Sequence, residues 1–262
     1  ITWSLVGSEM CIRDSLISIY VNNKSFNEAA NILKKCTEIF PEDFKSLINY
    51  GCVLKELGKL ENAEICFKKS IKLNPNLAVS YINLAQVQKD FKRPIEAEKN
   101  ILRAIKLNPN SYLAYNILGD ILQEKENLDA AVKSYKKAID LNRDFYLAYN
   151  SLGTLFSNRG DFINAEKFIQ KAVEINPKFA LGCLNLGRIK SELNNLDEAE
   201  SCFQKAIKIN KNYSNAYIFL WDLYEKTNNL KKLKNHLNSI KNEASLKYES
   251  LLFKARINYR EK

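Results

Sequence analysis

Three observations predict an all-α fold, a solenoid of stacked helical hairpins. One is composition: 46% apolar and 27% charged residues with only eight Gly and five Pro in 262 positions, a mixture with few helix breakers. The second is an internal period. Ala29, Ala63, Ala97, Ala131, Ala165 and Ala199 recur every 34 residues without an insertion. The third is the pattern inside each period, where apolar or small residues fall at i, i+3, i+4 and i+7 twice over. Leu47, Tyr50, Gly51 and Leu54 mark a first helix, A; Ala63, Phe67, Ser70 and Ile71 mark a second, B. One such hairpin cannot bury its own apolar face, so neighbours must stack.

Taken in order, the segment from Ser4 to Ser15 has no helical period. Its run Glu9-Met-Cys-Ile-Arg-Asp-Ser15 resembles the translation of a transposon-end sequencing adapter, so residues 1–15 are set aside as an artefact or a disordered leader. Native sequence is then expected to begin near Leu16. Units are expected near 10–43, 44–77, 78–111, 112–145, 146–179 and 180–213, followed by a degenerate one at 214–247. Seven positions after each first alanine come the small residues Cys36, Ser70, Ala104, Ala138, Ala172 and Ala206. Gly51, Ala85, Gly119, Gly153 and Gly187 hold one register in helix A, with Leu47, Tyr81, Tyr115, Tyr149 and Cys183 four residues earlier as packing residues. Gly58, Gly160, Asn194 and Asn228 fall between the paired helices, where a left-handed residue ends helix A. Pro94 opens a helix B, a position that needs no backbone donor. Asn74-Pro75, Asn108-Pro109 and Asn176-Pro177 close others. In the degenerate unit Trp221 stands at the small position, and Leu233, Leu237 and Ile240 replace the small and aromatic ones of helix B. Residues 248–262 space like a further helix A without its partner, so the chain is expected to be the interior of a longer protein. An unpartnered helix A would favour self-association, and oligomeric state stays open.

The period and its small, aromatic and proline positions resemble the tetratricopeptide repeat family from Leu16 to about Lys247. The resemblance implies a right-handed α-α superhelical solenoid whose A helices line a concave groove that holds protein or peptide partners. Candidate groove residues follow from the register: Asn49, Asn83, Ile117, Ser151, Asn185 and Phe219 in one row, with Asn116 and Asn150 one residue earlier. A carboxamide donates and accepts at once, so a row of them can clamp an extended backbone whatever its sequence. The row is similar in part to the asparagine ladder of O-linked N-acetylglucosamine transferases; Asn49, Asn83 and Asn185 fit it, while Ile117 and Ser151 interrupt it. The chain is Asn-rich throughout, and composition alone is the competing explanation. The Lys/Asn set of the family's chaperone-tail clamp is not found in three consecutive units. An alternative reading makes the chain the recognition arm of a larger transferase, a sulfotransferase or a glycosyltransferase, because bacterial arrays of this Lys/Asn/Ile-rich kind are often joined to one.

The formal charge is +10, but the lysines lie scattered beside Glu and Asp, so neither a nucleic-acid nor a membrane partner is expected. Lys68-Lys69 and Lys136-Lys137 read as solvated convex faces. Six cysteines without a C-x-x-C pair fit a reducing, cytoplasmic setting. His236 reads as an incidental surface histidine. Glu61, Glu64, Asp197 and Glu198 read as charges that favour a helix N-terminus. No phosphate-binding loop, zinc spacing or paired acid and base occurs, so no catalytic residue, metal or cofactor is expected.

Overall fold

The structure is a computed structural model and describes residues 25–239. The adapter-like segment, the start near Leu16, Ile240 and the stretch 248–262 lie outside the described residues. Among those described there are thirteen helices and no strand, the all-α class that the period predicts. They fall into two compact units, 1–141 and 142–262.

The first unit holds α1 (Phe26–Ile39), α2 (Phe44–Glu56), α3 (Leu60–Leu73), α4 (Ala78–Asp90), α5 (Pro94–Leu107), α6 (Tyr112–Glu124) and α7 (Leu128–Leu141). The second holds α8 (Tyr146–Asn158), α9 (Phe162–Ile175), α10 (Ala180–Glu192), α11 (Leu196–Ile209), α12 (Ser214–Lys226) and α13 (Leu230–Ser239). Packing is closest within the hairpins α2–α3, α4–α5, α6–α7, α8–α9 and α10–α11, and each B helix then packs on the next A helix inside its unit. Successive A helices also touch: α2 with α4, α4 with α6, α8 with α10 and α10 with α12. In each unit the A helices therefore form the inner side.

The small residues of the period have a steric reason. A Cβ built on Gly51 would lie 2.6 Å from the Phe67 ring, and one on Gly119 would lie 2.5 Å from Tyr135. Where helix A carries Ala85 instead, helix B carries the slimmer Ile101; where it carries Trp221, helix B carries Leu237, and all four side chains are buried. Bulk on one helix is matched by its absence on the other, as close packing requires. Tyr81, Tyr115 and Tyr149 are half-buried, whereas Leu47 and Cys183 at the same position are buried; Tyr81 Oη donates to the Pro75 carbonyl at 3.2 Å.

The turns extend the expectation. Gly58 and Gly160 have φ of 72° and 78°, and Asn194 and Asn228 have 60° and 53°; Lys92 and Glu126 occupy the same register at 58° and 61°. At the other end, Asn74, Asn108 and Asn176 each accept from the backbone N–H two residues on, and Asn142 and Asn210 do the same at 3.0 Å without a following proline. The side-chain turn, more than the proline, ends helix B.

Two readings of polar residues are corrected. His236 is no surface histidine: its Nδ1 accepts from the indole of fully buried Trp221 at 2.8 Å, between the rings of Tyr217 and Tyr224. Glu64 and Glu198 do more than favour a helix end. Glu64 is buried and pairs with Lys68 at 2.7 Å and Arg93 at 3.4 Å. Glu198 joins Glu166 around buried Lys190, at 2.5 and 2.6 Å. Lys190 stands where the preceding repeat has Phe156, so a seam position that is apolar there is filled by a cation with two carboxylates. These hydrogen bonds hold its ammonium above the usual lysine range.

Candidate peptide-binding face

In the first unit the inner helices carry Asn49, exposed on α2, and Asn83, half-buried on α4. The next position in that row, Ile117 on α6, is buried, which corrects its expected exposure: this apolar side chain packs into the core instead of facing solvent. Asn116 is half-exposed as a residue, but its Oδ1 is sealed from solvent without a hydrogen-bond partner. Polar links bridge the inner helices, Lys55 to Gln86 at 3.1 Å and Lys89 to Asp120 at 2.9 Å. Val79 and Leu113 lie exposed one turn before Asn83 and Ile117.

The second unit brings two of the five asparagines together. Asn185 Nδ2 on α10 donates to Asn150 Oδ1 on α8 at 3.0 Å. Both side chains are half-buried, and among the described residues neither has another hydrogen bond. The pair thus keeps the N–H donors of Asn150 Nδ2 and the acceptor Asn185 Oδ1 unused. These are the two functions that a peptide unit complements. One turn earlier on the same helices, Leu147 and Leu181 are 39% and 43% exposed, an apolar strip beside the amide pair. Ser151 is half-buried next to it.

One turn later on α10, the Arg188 guanidinium lies 5.1 Å from the centre of the Phe219 ring. Phe219 in turn stacks on buried Phe203 at 6.0 Å. This stack forms part of the wall of a cavity of about 520 Å³, lined also by Glu192, Asp222 and Lys226. The sequence puts Phe219 in the groove row but gives no sign of the cavity, which needs α10, α11 and α12 together. Among the described residues no group of three His, Cys, Asp or Glu side chains could hold a metal. Burial pushes the Cys66 and Cys202 thiols up to about 11, the behaviour of packed rather than reactive cysteines.

Comparison with known proteins agrees with this architecture. The tetratricopeptide repeat model matches residues 18–43, 44–77, 78–111, 146–179 and 180–213, and related repeat models match 100–133 and 119–160. The chain belongs to the tetratricopeptide repeat family. No curated protein matches it in sequence. Among solved structures it is similar to the APC/C hetero-tetramer Cut9–Hcn1, with a TM-score of 0.74 and 20% identity over 88% of this chain and 45% of that one. It thus spans less than half of the Cut9–Hcn1 chain. It is also similar to pilF of Pseudomonas aeruginosa, with a TM-score of 0.67 and 15% identity over 81% of this chain and 97% of that one. MamA gives a TM-score of 0.52 and 26% identity over 63% of this chain and 96% of that one. Tetratricopeptide arrays are in general protein-interaction scaffolds, and this chain is such a scaffold. No helix among the described residues is long and apolar enough to cross a membrane.

Proposed function

We propose that the protein holds an extended peptide segment of a partner against the inner helices of its second unit and performs no catalysis in doing so. The observation that carries this reading is the Asn150–Asn185 pair. Its single internal hydrogen bond leaves a donor and an acceptor on neighbouring helices. A peptide unit crossing α8 and α10 would meet both with its carbonyl and its N–H, while apolar side chains settle on Leu147 and Leu181. Such binding is tolerant of sequence at the backbone and selective only through the side chains that reach the strip and the cavity beyond Arg188. Among the described residues Asn49, Asn83 and Asn116 of the first unit form no such pair, and the reading does not depend on them.

The test starts from peptides selected for binding to the full chain from a random display library. Calorimetry then compares the parent with Asn150→Ala, Asn185→Ala and the double variant. Loss of the two ligand hydrogen bonds should weaken binding by roughly tenfold to a hundredfold. Helical content and melting should stay as in the parent, since the residues are half-exposed. Unchanged affinity in the double variant would remove the amide pair from the reading.

A further inference from the structure

The cations that look scattered in the sequence are gathered by the fold onto one side of the first unit. In each B helix the outward stripe falls at i, i+3, i+4 and i+7. On α3 it reads Ile65, Lys68, Lys69 and Lys72. On α5 it reads Lys99, Leu102, Arg103 and Lys106. On α7 it reads Lys133, Lys136, Lys137 and Asp140. All twelve residues are exposed, nine are Lys or Arg and one is acidic. Apart from Lys68, which pairs with Glu64, none of the nine makes an ion pair among the described residues. On α1 the same positions read Asn31, Lys34, Lys35 and Glu38, with Lys34 paired to Glu38 at 3.9 Å, so there only Lys35 continues the row of Lys69, Arg103 and Lys137.

The stripe is not explained by the repeat itself. In the second unit the same positions read Lys167, Gln170, Lys171 and Glu174 on α9, with Lys171 paired to Glu174 at 3.2 Å. On α11 they read Ser201, Gln204, Lys205 and Lys208. Nor does the helix dipole account for it, because on α5 and α7 the cations begin at Lys99 and Lys133, about two turns before the helix ends, where that effect has faded.

The same face also exposes aliphatic side chains: Ile39 at 67%, Ile65 at 52% and Leu102 at 49%, with Leu73 and Phe40 at the helix ends. Phosphates of a nucleic acid would be served by the cations alone, and base contact would call for aromatic or Arg planes. This face offers one Arg and one exposed Phe. A bilayer surface rich in anionic lipid uses both components: lysines meet the headgroups, and aliphatic tips enter the boundary with the acyl chains.

We propose that the outer face of α1, α3, α5 and α7 docks peripherally on an anionic phospholipid surface. The proposed peptide contacts lie on other helices, α8 and α10, so this function is distinct from peptide capture.

Co-sedimentation of the full chain with phosphatidylserine-containing vesicles, against pure phosphatidylcholine vesicles, tests this directly. Binding is expected to the anionic vesicles alone and to fall with added salt. The variant Lys35→Gln/Lys69→Gln/Arg103→Gln/Lys137→Gln removes four exposed charges without touching the core, and should lower partitioning by roughly a hundredfold or more. Ile65→Ser/Leu102→Ser should weaken it at unchanged charge, which a purely ionic contact would not do. Circular dichroism checks that both variants fold. The proposal is overturned by absence of vesicle binding, by equal binding to the two vesicle types, by indifference to either variant, or by capture of duplex DNA without vesicle binding.

Discussion

The turn after each A helix allows one backbone effect to be tested in both directions. Glu126 sits there at φ 61° and Gly160 at φ 78°. A left-handed conformation costs an L-residue roughly 1–2 kcal/mol, whereas glycine accepts it freely but gives up roughly 0.5–1 kcal/mol more entropy on folding. The Glu126 side chain is exposed and makes no hydrogen bond or ion pair among the described residues, and its backbone bond to the Gln123 carbonyl survives the substitution. A Cβ on Gly160 would meet nothing within 4 Å, so no steric effect intrudes there. Glu126→Gly should therefore stabilise the α6–α7 hairpin by about 0.5–1 kcal/mol, and Gly160→Ala should destabilise α8–α9 by a similar amount. Stacked repeats need not unfold in one step, so urea midpoints are best read beside native-state hydrogen exchange of the flanking helices. A destabilising Glu126→Gly or a neutral Gly160→Ala would refute the reasoning.

Other parts of the structure respond in defined ways. Lys190→Met removes the cation and leaves the partly exposed Glu166 and Glu198 carboxylates facing each other, so it should destabilise the second unit at neutral pH, by less than the roughly 3–5 kcal/mol of a fully buried broken pair. The Lys190 ammonium titrates above its ordinary value in the folded chain. Its contribution is therefore complete below the unfolded lysine value of about 10.4 and lost as pH rises through the folded one. Alkaline melting curves should show this loss in the parent and less of it in Lys190→Met. His236→Leu withdraws the acceptor of the Trp221 indole and should destabilise the second unit by about 1–3 kcal/mol. In a double-mutant cycle with Trp221→Phe, an absent coupling energy would contradict the hydrogen bond. Cys66 and Cys202, with thiols near 11, should react with a disulfide reagent at mildly alkaline pH only after unfolding. Rapid labelling of either in the native chain would show that it is not packed as described.

The hairpin stack was legible in the sequence because steric contacts leave periodic marks. Gly51 and Gly119 must be small against Phe67 and Tyr135, and Ala63 and Ala131 are fully buried. Features that break residue-type habit were not legible. Lys92 and Glu126 are ordinary helix formers that occupy left-handed turns. Lys190 fills a seam position that holds Leu54, Leu122 and Phe156 in other repeats and an uncharged polar residue, Gln88, in one, so its burial as a cation shows only with Glu166 and Glu198 in place. Asn150 and Asn185 fall in different rows of the period, since their separation is 35 residues. The contact exists because α8 and α10 are offset by one position where they touch. The basic face was hidden for a similar reason: its members alternate with acids along the chain and separate from them only when each helix turns its outward stripe to solvent.

The central claim is that the Asn150–Asn185 pair clamps a peptide backbone, and amide resonances report on it directly. In a titration of the labelled full chain with a selected peptide, the side-chain NH₂ signals of Asn150 and Asn185 and the methyls of Leu147 and Leu181 should shift together and saturate at the calorimetric affinity. Shifts that spare these four residues and gather elsewhere on the chain would contradict the account.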